Sequence, residues 1–249
     1  MDLSKHLASY EKKIRILKET IYAVTEYDSP LYAVLVCGSA GIGKTYTING
    51  ILQARAEDDT KPIIYRKISG KISVRALWEH LYENSTYEHV LFFDDADFIL
   101  TDLHCLGMLK EATDTNCNRV INWRISRRAT NSTTESHTVF DGKLVIATNI
   151  NVKSTPHLDA VMDRFEVYDI KVTFYEKLAK IQEIANNPHG SPLMKISLEG
   201  NKDLLKFLIS NQECLGEELS LRTFIGLQRM YRLFPSNWKE HAEEKFLKK

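Results

Sequence analysis

Apolar residues along this chain fall into short, nearly continuous runs. The stretches between them are less apolar and longer, which predicts buried strands alternating with helical segments. The runs cover 31–37, 62–68, 89–93, 143–148 and 166–170, each rich in Val, Ile, Leu or Phe. An opening helix is predicted over 3–25, with Tyr10, Ile14, Ile16 and Leu17 as apolar positions, and a second over 46–56. From Val172 onward the pattern is wholly helical, with segments at 174–185, 203–212, 221–233 and 238–246. Five buried strands with intervening helices predict an α/β fold built on a parallel sheet. The change of pattern near residue 171 predicts two domains: an αβα domain at 1–171, which includes the opening helix, and a small all-helical domain at 172–249. No internal repeat interrupts this plan. The polar stretches at 116–118 and 126–138 read as a functional loop or hairpin rather than core.

The first apolar run leads into Gly38-Ser39-Ala40-Gly41-Ile42-Gly43-Lys44-Thr45, which fits G-x-x-x-x-G-K-[ST] at every fixed position. Such a loop, set between a strand and a helix, binds phosphate. Its glycines let backbone N–H groups close around phosphate oxygens, Lys44 neutralises the terminal phosphates, and the Thr45 hydroxyl ligates Mg²⁺. Gly38 to Thr45, with Tyr46 opening the helix, form the candidate nucleotide-binding segment. Two later strands end in polar groups. Val90-Leu91-Phe92-Phe93 delivers Asp94 and Asp95 to the carboxyl edge of the sheet, where ligands of α/β proteins sit. There Asp94 would hold Mg²⁺ with Thr45, and Asp95 would orient or deprotonate an attacking water. The strand at 143–148 ends at Asn149, whose amide offers a donor and an acceptor to a γ-phosphate oxygen or the lytic water. Asp97, beyond the strand end, reads as a cap or ion-pair partner.

Composition adds bounds rather than direction. At 249 residues, 43% apolar and 27% charged, the chain suits a soluble globular protein. The 33 basic and 33 acidic side chains balance, so any nucleic-acid contact must be local. Cys37, Cys105, Cys117 and Cys214 show no C-x-x-C pairing or metal-ligand spacing and read as reduced thiols. The N-terminal MDLSKHLASYEKK lacks an apolar signal core and no run approaches 18 apolar residues, which predicts a cytoplasmic protein with no membrane partner.

The order of these motifs resembles the AAA+ ATPases over nearly the whole chain. GSAGIGKT resembles their Walker A, VLFFDDAD their Walker B and KLVIATN their sensor 1 strand. The resemblance implies a P-loop NTPase αβα sandwich with a five-stranded parallel sheet, followed by a helical lid, and the cofactors ATP and Mg²⁺. It also implies roles for two arginines. Arg164, ending a helix just before the fifth strand, matches the arginine finger, and Arg222, opening a lid helix, matches the sensor 2 arginine of the initiator and clamp-loader branches. A guanidinium at the transferring phosphoryl group stabilises its spread charge, and a finger at a domain rim must act on a neighbour, so a homo-oligomer, ring or open spiral, is implied. One departure stands out: this chain has Asp95 where the family usually has Glu. The missing N-K-x-D after the later strands favours ATP over GTP.

Two function classes follow. The first is an ATP-driven nucleic-acid factor, such as a helicase loader, a clamp-loader-like subunit or a phage or mobile-element replication ATPase. In this reading Arg124, Arg127 and Arg128, interleaved with Trp123, contact DNA phosphates while the indole stacks on a base. The competing reading of that segment is a hairpin with Ile121 and Trp123 buried. The second class is a remodelling ATPase or ATP-gated assembly switch acting on a partner protein. Translocation of unfolded chains is disfavoured, because Ser69-Gly70-Lys71-Ile72-Ser73 after the second strand has no aromatic tip.

Overall fold

The computed structural model describes residues 2–115, 118–123, 137–149, 155–187 and 196–247. The chain forms two compact units, one built from 15–38 and 44–170, the other from 1–14, 39–43 and 171–249.

The first of these is a parallel sheet with helices. Its strands are β1 (Ala33–Gly38), β2 (Ile64–Ser69), β3 (His89–Asp94), β6 (Lys143–Ala147) and β7 (Glu166–Ile170), in the order β2-β3-β6-β1-β7. Every neighbouring pair is parallel. Central strands β1, β3 and β6 are buried almost throughout, as continuous apolar runs require. The expectation of five buried strands fails at the edges. In β2 Ile64 is 54% exposed and in β7 Val167 is 38% exposed, because an edge strand has a neighbour on one side only. Around the sheet run α2 (Lys44–Ala56), α3 (Val74–Glu83), α4 (Leu103–Ala112) and α5 (Pro156–Met162). Their starts follow local chemistry: Ser73, Asp102 and Thr155 each accept a backbone N–H of the first turn. The apolar core joins Leu35, Leu91, Phe93, Leu144 and Ile146 of the strands to Leu77, Trp78, Leu106, Leu109 and Val161 of the helices.

A two-stranded antiparallel hairpin, β4 (Val120–Asn122) with β5 (His137–Val139), lies between α4 and β6. Ile121 is fully buried and Trp123, partly buried, stacks on Trp78 with ring centroids 5.9 Å apart. The buried-hairpin reading therefore holds for Ile121, while Trp123 packs against the core and is only partly buried. Arg119, in the same basic stretch, is also buried: its guanidinium sits 4.0 Å from the centre of the Tyr32 ring and donates to the Gly142 carbonyl. Arg124, Arg127 and Arg128 lie outside the described residues.

The second unit is helical: α6 (Phe174–Asn186), α7 (Leu198–Ser210), α8 (Gln212–Leu215), α9 (Leu221–Leu233) and α10 (Trp238–Phe246), joined by the first half of α1 (Ser4–Thr25). Its core packs Leu3 with Leu178, Ile181, Leu204, Leu208, Phe224, Leu227 and Trp238. Helix α7 begins five residues before the apolar pattern suggested, because Ser197 caps it by accepting the Gly200 N–H. Helix α1 joins this unit through Glu176. The Glu176 carboxylate accepts from Lys13 at 2.7 Å, from the Ser9 hydroxyl at 2.5 Å and from the Thr173 N–H at 2.8 Å, while closing a capping box at the start of α6.

Candidate nucleotide site

The phosphate loop leaves β1 at Gly38, and α2 begins at Lys44. Gly41 (φ +71°) and Gly43 (φ +94°) occupy the left-handed region that L side chains rarely adopt. Gly41 has a second reason to lack a side chain: a Cβ there would stand 2.7 Å from the Ser220 Cβ. Ser39 and Ala40 are exposed, Ile42 is buried, and Tyr46 is 87% exposed.

Within the sheet unit, the side chains that the sequence singles out from three separate segments come together. The Thr45 hydroxyl donates to Asp94 Oδ1 at 2.8 Å. Lys44, buried, donates from Nζ to the Gly38 carbonyl and to Asn149 Oδ1, each at 2.7 Å. The other end of Asn149 donates from Nδ2 to Asp95 Oδ1. Asn149 thus bridges the loop lysine and the strand-end acid, 105 and 54 residues away in sequence. It can do so because β6 lies between β1 and β3 in the sheet. Next to it, buried Thr148 donates to Asp97 Oδ1 at 2.5 Å, so Asp97 tethers the end of β6 to the turn after β3.

Asp95 is the one non-glycine residue with positive φ (56°) among the described residues. Its N–H is held by the Ala147 carbonyl at 3.1 Å. Aspartate and asparagine are the ordinary side chains most enriched in left-handed backbone, since their short polar groups bond locally. The Asp in place of Glu thus agrees with the conformation this turn imposes.

Lys67 is a participant that the sequence reading missed. From edge strand β2 its ammonium reaches Asp94 Oδ2 at 2.7 Å, while Thr45 holds Oδ1. The only available sequence signal was a lysine beside Arg66 in an otherwise apolar run, and the pairing depends on β2 lying beside β3. Thr45 and Asp94 supply hard oxygen donors, the kind Mg²⁺ takes when a nucleotide fills most of its coordination sphere. The Lys67 ammonium on the same carboxylate shows that this position attracts a cation. The donor set therefore fits Mg²⁺. Among the described residues no cluster of three or more His, Cys, Asp or Glu is placed to hold a metal unaided.

The two arginines are placed less directly. Arg164, half-buried after α5, donates to the Ala160 carbonyl at 2.5 Å, which fixes it at the end of that helix. Arg222 is exposed in the first turn of α9, with its Cγ 3.5 Å from where a Gly41 Cβ would stand. Arg229 and Arg232 are exposed on the same helix.

A five-stranded parallel sheet in this order, a phosphate loop after β1, acids after β3, a polar residue after β6 and a following helical unit define the AAA+ fold. Solved structures share it, two of them of DnaA. Domain III of the replication initiation protein DnaA from Thermotoga maritima superposes with a TM-score of 0.56 at 11% identity, covering 94% of this chain and 92% of that one. AMPPCP-bound DnaA from Aquifex aeolicus superposes with a TM-score of 0.51 at 16% identity, covering 93% of this chain and 65% of that one. In sequence, the chain is 30% identical over 220 residues to an uncharacterised 36.7 kDa protein of Enterobacteria phage T4, encoded in the nrdC–mobD intergenic region. That alignment covers 84% of this chain, which spans 66% of the length of the phage protein. No protein-family model matches the sequence. No helix among the described residues is long and apolar enough to cross a membrane.

Proposed function

We propose that the chain is an AAA+ ATPase that binds ATP with Mg²⁺ and hydrolyses it as an oligomer, coupling turnover to a nucleic-acid transaction of DNA replication such as helicase or clamp loading. The observation that carries this reading is the joining of Lys44, Asn149 and Asp95 in one hydrogen-bonded chain beside the Thr45–Asp94 pair. The likeness to DnaA supports the replication setting, and the AMPPCP carried by the Aquifex protein supports an adenine nucleotide as ligand. The phage T4 relative fits a phage-type replication ATPase.

In this reading the N–H groups of 38–44 receive the β- and γ-phosphates and Lys44 exchanges its present acceptors for phosphate oxygens. Thr45 and Asp94 hold Mg²⁺, which when bound neutralises charge building on the phosphates. Asp95 accepts a proton from, or orients, the water whose oxygen attacks the γ-phosphorus as the bond to the β–γ bridging oxygen breaks, yielding ADP and phosphate. Asn149, already bonded to both Lys44 and Asp95, is set to bridge the γ-phosphate and that water. Arg222 and, from a neighbouring subunit, Arg164 supply positive charge to the transition state. DNA contact is assigned to Arg124, Arg127 and Arg128.

A second reading, an ATP-gated assembly switch or remodelling factor acting on a partner protein, is favoured by Asp95 itself. It is one methylene shorter than the usual Glu, and Asn149 holds its carboxylate. The deciding experiment is steady-state ATP hydrolysis against protein concentration, with and without single- and double-stranded DNA, together with mass by light scattering. Hydrolysis that rises with self-association and is stimulated by DNA supports the first reading. ATP-dependent assembly with negligible turnover and no DNA response supports the second. No ATP binding at all refutes both.

A further inference from the structure

We propose that Tyr10 is a positioning residue that holds the phosphate loop in its binding conformation before nucleotide arrives, an inference that rests on the nucleotide reading above. The argument starts from the loop's own backbone. If its N–H groups are reserved for phosphate, its carbonyls must find other partners, because buried backbone acceptors are almost always paired. Within the helical unit two of them do. The Gly41 carbonyl accepts from the Leu221 N–H at 2.9 Å, and the Ile42 carbonyl accepts from the Tyr10 hydroxyl at 2.9 Å. Tyr10 is 4% exposed and Ile42 1% exposed, so water does not compete for that bond.

The hydroxyl also lies close to the neighbouring residue. A Cβ on Gly43 would lie 3.3 Å from Tyr10 Oη, so the loop runs closely past the phenol. Burial, with the nearby charge of Glu183, pushes the phenol up to about 12, which keeps it a donor at neutral pH. Tyr10 is in turn anchored, because one turn later on α1 Lys13 pairs with buried Glu176 of α6. A core aromatic at this place would need no hydroxyl for packing alone. Its polar atom is spent on the loop carbonyl, and tying carbonyls outward orders the loop before ligand binding, which lowers the ordering cost at the moment of binding.

The test is Tyr10→Phe, which keeps the ring and removes the donor. Calorimetric titration with ATP in EDTA should show affinity weakened about fivefold, the size expected for one lost net hydrogen bond. Amide exchange of residues 39–43 in the nucleotide-free protein should quicken and return to the wild-type pattern at saturating ATP, a response that a purely structural role would not give. A lowered unfolding midpoint with unchanged ATP affinity and unchanged loop exchange overturns the proposal. Wild-type protein that itself fails to bind ATP overturns the nucleotide reading, and this inference with it. Should Tyr10→Phe not fold, Leu221→Pro removes the other tether at a first helical position where proline is tolerated. Wild-type ATP affinity in that variant would equally refute outward tethering of the loop.

Discussion

Replacing Glu176 with glutamine should destabilise the helical unit at neutral pH and lose that effect in acid. Burial alone would raise this carboxyl, but hydrogen bonds from Lys13, Ser9 and the Thr173 N–H, and the Lys13 charge, outweigh it and bring the group from 4.5 down to about 2. The folded state thus binds the proton less readily than the unfolded chain, so the stabilisation is complete above the unfolded value of 4.5. It is lost as pH falls from there toward 2. A shift of this size corresponds to roughly 3–4 kcal/mol at about 1.4 kcal/mol per unit. The Glu176 side chain is 5% exposed, so solvent screens it little, and the 29% exposure of Lys13 places the expected loss at about 2–3 kcal/mol. Urea unfolding followed at Trp238, in a Trp78→Phe, Trp123→Phe background, reads this unit, since Trp238 packs on Phe207 and Tyr231. The gap between wild type and Glu176→Gln should be full at pH 7 and shrink steadily from pH 4.5 to pH 3. A gap that does not change with pH would refute the reasoning, as would a loss below about 0.5 kcal/mol at pH 7, the range of an ordinary exposed pair.

Three further outcomes are expected. Asp95→Asn should bind ATP with near-normal affinity yet lose turnover, and undiminished hydrolysis would remove Asp95 from the water-positioning role. Arg164→Ala should be inactive alone and regain activity when mixed with Asp95→Asn chains, because each would lend the other its intact group across an interface; verified mixed oligomers without recovery would mark Arg164 as a helix-end residue only. Lys143, buried, donates to the Ser29 and Leu31 carbonyls, and burial together with the Arg119 charge lowers it from 10.5 to about 8. Below pH 8 both folded and unfolded chains carry that proton, so the burial cost is present; between pH 8 and 10.5 the folded state sheds it first and stability rises. Chemical denaturation from pH 8 to 10 should show this rise in wild type and not in Lys143→Met, and equal profiles would refute it.

The sequence alone located most of the elements and the candidate chemistry. The apolar runs located five strands, and 166–170, 221–233 and 238–246 match β7, α9 and α10 residue for residue. Periodicity and composition are properties of contiguous residues, and the phosphate loop is likewise a contiguous motif whose glycines meet a local conformational need. Asp94, Asp95 and Asn149 were legible because a buried parallel strand must end at the carboxyl edge, wherever it sits in the sheet. Strand order was not legible, since nothing in β2 says that it will lie beside β3 rather than β7. That order alone brings Lys67 to Asp94 and sets Asn149 between Lys44 and Asp95. It also turns β2 and β7 into half-exposed edges. The left-handed turn at Asp95 and the capture of the Ile42 carbonyl by Tyr10, 32 residues earlier, were decided the same way. A hydrogen bond between distant segments depends on packing that brings two buried polar atoms within reach, and a pattern of neighbours along the chain carries no record of that packing.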